Sequence, residues 1–291
     1  QRRRLALDPE SVWITYRLAK DLVSAGQRPE ADALMRNMAN RKPGDAERVY
    51  AYGLYLSGNN QDDAALAQIN ALPRGQWTDN IRELEGRLQS DKVMREVNQL
   101  RDSGQEAQAI ALIKRQPESV RYDLALADWA QQRGDSAEAI AQYHRVLSQQ
   151  ADNGDARLGL AEVYLAEGDK NAARAQVAQL KDADTESINM QRRVALARAG
   201  FDDTAGAQQI FDRIVPQAKS QPPSMESALV LRDAARFQTQ SDQPQQALES
   251  YKDAMVASGV TRVRPQDNDT FTRLTHNDSQ DDWLKRGIRS D

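Results

Sequence analysis

The chain has 291 residues, enough for one large or two modest domains. It contains no cysteine, which excludes a disulfide framework and a cysteine-ligated metal, and no apolar run approaches the ~18 residues of a membrane-spanning helix. With 39 basic and 43 acidic residues its formal net charge is −4, so nothing draws the whole chain onto nucleic acid. Few aromatic residues and many Ala, Gln, Leu, Arg, Asp and Glu residues predict a nearly all-helical protein.

Two features bear on the cellular compartment. The absence of cysteine suits a bacterial periplasm, where stray thiols can mispair, although many cytosolic proteins also lack cysteine. The opening segment QRRRLALDPE is basic but has no apolar core of a signal peptide. We therefore expect either a cytosolic protein or a mature fragment of an exported one.

A short phrase recurs along the chain with a period of about 34 residues, a length typical of repeat architectures. In it a Gly is followed by Asp or Gln, and an Ala comes five residues after the Gly. Ala139 and Ala173 are one full period apart, the interval from Ala31 to Ala64 is one residue shorter, and that from Ala109 to Ala139 is shorter still. The phrase reads AGQRPEA at 25–31, SGQEAQA at 103–109, RGDSAEA at 133–139 and EGDKNAA at 167–173.

Each unit divides at this Gly into two amphipathic helices. Apolar residues recur at i, i+3 or i+4 and i+7 on both sides of the turn. Gly134 and Gly168 can end the first helix in the left-handed conformation, and Asp135 and Asp169 can cap the second. The aromatic ring of Tyr143 is expected to fill the space toward the next hairpin.

The predicted fold class is all-α, an α-α superhelix of about seven helical hairpins with one or two irregular breaks. The seven units span roughly 10–43, 44–75, 78–117, 118–151, 152–184, 185–219 and 223–259.

Some of the units depart from the regular pattern. The interval from Ala64 to Ala109 is about a third longer than one repeat, and a helical stripe continues through the excess, which predicts a long or extra helix. The sixth unit has Gly200 but then slips register. The segment Gln221-Pro222-Pro223 marks a break, and the seventh unit has Ser241-Asp242-Gln243-Pro244 in place of Gly at its turn.

This organisation predicts two regions. Residues 1–259 form the solenoid, with hinges expected near 76–92 and 219–224 because each repeat contacts only its neighbours. Residues 260–291 do not repeat and carry 6 basic and 6 acidic residues, which predicts a polar linker or an extended tail.

The repeat resembles the tetratricopeptide repeat family, whose unit is a helix–turn–helix of about 34 residues. The proline that is usual after the second helix is present as Pro9 and Pro43. Leu7-Asp8-Pro9 is similar to the end of a preceding repeat, so we expect this chain to be a piece of a longer array.

The stretch FTRLTHNDSQDDWLKRGIRSD at 271–291, with the late repeats, resembles the family of outer-membrane C subunits of bacterial cellulose synthases. The resemblance implies a periplasmic array, with 260–291 as the linker to an outer-membrane β-barrel. It implies a non-enzymatic scaffold between an inner-membrane synthase and an outer-membrane pore. Such a scaffold would guide the cellulose chain or hold synthase complex subunits, and contact with peptidoglycan is a further expectation.

Catalysis finds little support in the sequence. His144 and His276 are far apart, and no HExxH, GxSxG, GxGxxG or GxxxxGK[ST] motif occurs. Asp267-Asn268-Asp269 lacks the Gly and the distal Glu of a calcium loop at the required spacing. We predict no enzymatic activity, no cofactor, no metal and no nucleic-acid partner.

Binding is the function that this architecture favours, because the first helices of stacked hairpins line an inner surface. Leu158 and Leu165 take inner-surface positions in the fifth unit. Charged, polar and aromatic residues at these positions are the predicted ligand or partner contacts: Trp13, Tyr16, Lys20, Arg121, Asp128, Gln132, Asp155, Glu162, Arg232 and Arg236.

The tryptophans leave several interpretations open. Trp13 and Tyr16 can offer an aromatic platform to a sugar ring or an anchoring pocket to a peptide, and packing against a preceding repeat is an equal alternative. Trp129 is expected in the core. Trp77 and Trp283 lie in breaks of the pattern, where docking onto the solenoid or onto a partner is equally open.

The charged inner positions favour a polar ligand. Asp128 and Glu162 place negative charge where relatives that grip a C-terminal carboxylate need donors, which disfavours that adaptor role. Two other functions remain beside the cellulose scaffold: a general adaptor that binds peptide or helix ligands and no glycan, and a helical-solenoid enzyme that modifies glycans.

Overall fold

The computed structural model describes residues 11–181 and 186–259, and these residues form helices and no strand. The chain divides into two compact units, Gln1–Pro117 and Glu118–Asp291. In the described ranges, fourteen α-helices pair in chain order into hairpins 1 to 7. The predicted all-α fold of seven hairpins is confirmed.

The first unit contains hairpins 1 to 3. Its helices are α1 (Val12–Ser24), α2 (Arg28–Arg41), α3 (Ala46–Gly58), α4 (Asp62–Ala71), α5 (Asp79–Asp102) and α6 (Glu106–Lys114), with a 3₁₀ turn at Arg74–Gln76.

The second unit contains hairpins 4 to 7. Its helices are α7 (Val120–Gln132), α8 (Ser136–Gln149), α9 (Gly154–Ala166), α10 (Lys170–Ala178), α11 (Ile188–Gly200), α12 (Thr204–Ser220), α13 (Met225–Gln240) and α14 (Pro244–Ala257).

Every hairpin turn in the described ranges has one residue with a left-handed backbone, and a buried Ala follows it five residues later. The amide that follows the left-handed residue donates to a carbonyl five residues back, as Asp135 does to Ala130 at 2.9 Å. This Schellman arrangement satisfies carbonyls that the first helix would otherwise leave unpaired. The left-handed residues are Gly26, Asn60, Gly104, Gly134, Gly168, Asp202 and Asp242.

The turn geometry corrects two register assignments. The sixth turn is made by Asp202, with φ of +72°, while Gly200 is the last residue of α11. The sixth unit therefore does not slip, since Ala207 follows Asp202 at the usual spacing and is fully buried. In hairpin 2 the anchoring residue is the buried Ala65, and the predicted Ala64 is exposed.

Aspartates cap the second helix in three of the hairpins. The carboxylates of Asp135, Asp169 and Asp203 each accept a hydrogen bond from a backbone amide three residues on, at 3.3, 3.1 and 3.0 Å. This is the expected N-cap geometry and contributes about 1 kcal/mol per helix. The predicted caps at Asp135 and Asp169 are confirmed.

The two helices of each hairpin pack against each other, and the anchoring Ala of every hairpin in the described ranges is buried. Twelve residues before it, the first helix presents a small or β-branched residue, and both members of each pair are buried, which lets the backbones approach closely. The pairs are Ala19 with Ala31, Gly53 with Ala65, Val97 with Ala109, Ala127 with Ala139, Ala161 with Ala173, Ala195 with Ala207, and Ala235 with Ala247.

The long spacing in hairpin 3 comes from one continuous helix of 24 residues, α5, which is the first of the two predicted alternatives, a long or an extra helix. Its first half adds Ile81, Leu84 and Leu88 to the core formed by hairpins 1 and 2. Trp77, just before it, is buried, and its indole Nε1 donates to the Leu72 carbonyl at 2.9 Å. Trp77 therefore packs onto the solenoid, one of its two predicted alternatives.

Three further expectations concern the C-terminal linker, the two hinges and membrane-spanning helices. The linker at 260–291, with His276 and Trp283, lies outside the described residues. The hinges near 76–92 and 219–224 remain predictions. In the described ranges, every helix is too short or too polar to cross a membrane.

The left-handed turns can be tested with paired glycine substitutions. Gly168→Ala should lower the free energy of unfolding by about 1 kcal/mol, because Gly168 has φ of +81° and a Cβ is strained there. Gly86→Ala, at an exposed site with open space in α5, should raise it by about 0.5–1 kcal/mol. Urea unfolding followed by circular dichroism measures both, and shifts of the same sign would contradict the assignment.

Candidate partner-binding surface

A groove of about 610 Å³ in the second unit is the candidate surface. It lies along the first helices of three consecutive hairpins, α7, α9 and α11. It brings together four of the predicted contact residues, Asp128, Gln132, Asp155 and Glu162. The groove is lined by Leu124, Asp128, Gln131, Gln132, Asp155, Glu162, Asn189 and Arg193.

A buried tyrosine reaches the groove from the second helix of hairpin 4. The Tyr143 ring is fully buried and passes over Gly159, where an added Cβ would lie 2.4 Å from Tyr143 Cζ. Its hydroxyl lies 2.6 Å from both Asp128 Oδ1 and Gln131 Oε1, and its single proton can be donated to one of them at a time. Burial, and then Asp128, raise the pKa of the Tyr143 phenol, which stays neutral.

Across the groove, Glu162 of α9 and Arg193 of α11 form a two-point ion pair. Arg193 Nε lies 3.2 Å from Glu162 Oε2, and Arg193 Nη2 donates to Glu162 Oε1. The Gln131 amide also donates to Glu162 Oε1, at 3.4 Å. Both charged side chains are about a quarter exposed, so the pair is fixed in direction but accessible.

The groove carries excess negative charge, since Asp128, Asp155 and Glu162 face the single cation Arg193 among its lining residues. Desolvation raises the pKa of the Asp128 carboxyl above its ordinary value. The Tyr143 hydrogen bond and Arg193 oppose this rise, whereas the nearby Asp155 and Glu162 add to it. A ligand that donates hydrogen bonds to Asp128 would stabilise its ionised form.

The predicted contacts Arg232 and Arg236 lie elsewhere in the second unit, around a buried aspartate. Asp233 is fully buried and pairs with Arg192 of α11 at 2.7 Å, with Arg232 at 3.0 Å and with Arg236 at 3.9 Å. Such a network is costly to break, because removing one partner leaves a buried charge unmatched. Both predicted arginines therefore contribute to packing of hairpins 6 and 7.

In the first unit, Trp13 and Tyr16 form an aromatic cluster with Tyr50 of α3. The Trp13 ring makes edge contacts with Tyr16 and Tyr50 at centroid distances of 5.6 and 6.0 Å, and its Nε1 donates to Glu47 at 2.8 Å. Lys20 Nζ lies 5.4 Å from the Tyr16 ring centroid. Trp13 keeps 39% of its surface exposed, and its packing against a preceding repeat remains a prediction.

Sequence reasoning was incomplete at several positions. Arg121 is exposed on α7 but does not line the groove, and Leu158, predicted on the inner surface, is fully buried. Asn189 and Arg193 were missed because the sixth unit was read in the wrong register. Counted from the Asp202 turn, Asn189 is equivalent to Asp155 of the preceding repeat.

The structure also locates Trp129 and His144, two residues singled out in the sequence. Trp129 is buried, as predicted. His144 is exposed on α8, with Nε2 3.3 Å from the Tyr164 hydroxyl. In the described ranges no group of three His, Cys, Asp or Glu residues is placed to hold a metal ion.

Residues 130–197 match the family model described as tetratricopeptide repeat. The chain is also similar in fold to the crystal structure of the APC/C hetero-tetramer Cut9–Hcn1, with a TM-score of 0.51 and 12% identity over 98% of this chain and 50% of that one. The chain is a tetratricopeptide repeat solenoid.

Its nearer relatives are bacterial. The chain is 65% identical over its full length to cellulose synthase operon protein C of Escherichia coli (strain K12). It is 63% identical over 290 residues to the protein of the same name in Salmonella typhimurium. The predicted resemblance to the cellulose synthase C subunits is confirmed, and the chain spans 25% of the length of these relatives.

The contact between Tyr143 and Gly159 gives a testable effect on stability. Gly159→Ala should lower the free energy of unfolding by about 1–3 kcal/mol, because the new methyl group displaces the Tyr143 ring. Removal of the ring by Tyr143→Ala should cost less in the Gly159→Ala background than in the native chain. Strictly additive costs in a double-mutant cycle would show that the two residues do not interact.

The raised pKa of Asp128 predicts an unusual pH dependence. Its folded pKa lies above the unfolded value of ~3.9, so its contribution to stability is most favourable in acid and declines as pH rises through the folded value. Asp128→Asn should therefore stabilise the protein at pH ~7 and lose this advantage near pH ~3. Denaturant unfolding at both pH values measures the difference, with Asp152→Asn on an exposed loop as the matched control.

An advantage of Asp128→Asn that grows as the pH falls would contradict the assignment.

Proposed function

We propose that this chain is a non-enzymatic scaffold segment of a bacterial machine that makes and exports cellulose. The observation that carries the proposal is the 65% identity over the whole chain to a cellulose synthase operon protein C. In this proposal the segment lies in the periplasm and belongs to a protein of the outer membrane. It links an inner-membrane synthase to an outer-membrane pore.

The proposed mechanism is passive. Helical hairpins present many spaced side chains, and several weak contacts along a stiff array add up to useful retention without any single tight site. The groove of α7, α9 and α11 supplies such contacts through charged and amide side chains. Synthase subunits or the moving polymer would be held by these contacts, and peptidoglycan is a further candidate.

The chemistry of the groove supports binding over catalysis. A general acid must hold a transferable proton in reach of the substrate. Glu162 is held at two points by the Arg193 guanidinium, while Asp128 accepts a hydrogen bond from a neutral phenol. The tetratricopeptide repeat is a fold that binds partners, and this arrangement fixes carboxylates as hydrogen-bond acceptors.

A second candidate function is an adaptor that binds peptide or helix ligands and no glycan. The excess of carboxylates over arginine in the groove favours it, because a basic segment of a partner would be attracted there. Its contacts would weaken with added salt, since they depend on charge.

An exchange of segments tests the scaffold. The matching region of cellulose synthase operon protein C in Escherichia coli (strain K12) is replaced by this chain, and secreted cellulose is quantified. We expect cellulose secretion to persist, because the contacts lie in the matched region. Loss of secretion at normal protein levels would contradict the proposal.

A matched control replaces the same region with an unrelated repeat array of equal length. This control should fail to secrete cellulose, because length and stiffness alone do not supply the contacts. If it works as well as the native segment, the repeats serve only as a spacer and the proposed binding role is wrong.

A further inference from the structure

We propose that the groove of α7, α9 and α11 binds a hydroxyl-rich glucan segment, through acceptors and donors that the fold holds in fixed directions. This inference rests on the proposed function and names the ligand class of one surface. It concerns eight lining residues, all of them in the second unit.

The alternation of donors and acceptors favours a ligand with hydroxyl groups. Asp128, Asp155 and Glu162 can only accept when ionised, whereas Arg193 can only donate. The amides of Gln131, Gln132 and Asn189 do both, and they lie among the charged groups. A hydroxyl group donates one hydrogen bond and accepts others, so a polyol can add hydrogen bonds to the carboxylates, the amides and the guanidinium, whereas a cation can add them only to the acceptors.

The acceptors are fixed before any ligand arrives. Tyr143 holds Asp128 from below, because Gly159 leaves room for its ring to reach the groove. Arg193 holds Glu162 at two points. Fixed side chains lose little conformational entropy on binding, and this lowers one of the costs of polar recognition.

The dimensions and the apolar part of the groove also suit a sugar chain. Its volume of about 610 Å³ lies within the range of about 300–1,000 Å³ typical of small-molecule sites. Leu124 is half-buried among the polar residues and offers an apolar contact. The C–H face of a pyranose ring can pack there while its hydroxyls reach the carboxylates and amides.

The partial neutralisation of the carboxylates argues against a basic peptide as the main occupant. Glu162 already has a guanidinium partner, and Asp128 accepts a hydrogen bond from the Tyr143 phenol. Asp128 and Asp155 are both exposed. A lysine or arginine side chain can add hydrogen bonds only to acceptors, whereas a hydroxyl group can also accept from the amide and guanidinium donors of the groove.

The test is titration of the full chain with cellohexaose, followed by calorimetry and saturation-transfer NMR. We expect saturable binding that weakens about tenfold in Asp128→Asn and in Asp155→Asn, since each removes a charged acceptor. Asp128→Asn keeps an oxygen for the Tyr143 hydroxyl, so the groove floor is preserved. Asp152→Asn, three residues before Asp155 on an exposed loop, should bind as the native chain does.

Three results would overturn the inference. The first is no binding at millimolar cellohexaose, and the second is unchanged binding in both groove variants. The third is displacement of bound cellohexaose by hexalysine at a concentration lower than the one at which cellohexaose itself binds. After any of these results, the proposed scaffold function still stands if cells with the exchanged segment secrete cellulose. Failure of the exchange while cellohexaose binds would instead contradict the scaffold and keep the groove assignment.

Discussion

The left-handed residue at each hairpin turn is the constraint on which the rest of the structure depends. It reverses the chain after the first helix, and the amide that follows closes the helix end by bonding to a carbonyl five residues back. The buried Ala five residues after the turn lies on the second helix, which packs against the first. One backbone conformation therefore sets both the end of one helix and the register of the next.

The groove is a consequence of that register. Because hairpins 4, 5 and 6 repeat at a constant spacing, equivalent positions of their first helices face the same groove, which both Asp155 and its equivalent Asn189 line. The second helix of hairpin 4 contributes as well, since Tyr143 reaches the groove over Gly159. A surface for binding thus arises from residues that a single repeat could not bring together.

The sequence carried enough information for the helical hairpins, their number and four of the groove residues. Glycine and alanine spacing is a local signal, and it predicted the turns at Gly134 and Gly168. The signal failed where Asp202 takes the left-handed conformation, because an aspartate there looks like any polar residue. Gly200 lies two residues earlier and was taken as the turn residue, which shifted the assigned register.

Side-chain pairing was the part that the sequence could not supply. Arg232 and Arg236 have the spacing of exposed inner residues, yet both turn to Asp233, which is buried through packing of α11 against α13. The partner of Arg193 lies 31 residues earlier, on another hairpin. Such choices depend on distances between helices, which periodicity alone does not fix.

The length of α5 has a mechanical consequence. Its 24 residues make a rod of about 36 Å, whereas α6, with nine residues, is about 14 Å long and can brace only part of it. The remaining part rests on hairpins 1 and 2 through Ile81, Leu84 and Leu88. Under a pulling force, the first unit would therefore respond through one long helix that spans several repeats, and not as a series of equivalent hairpins.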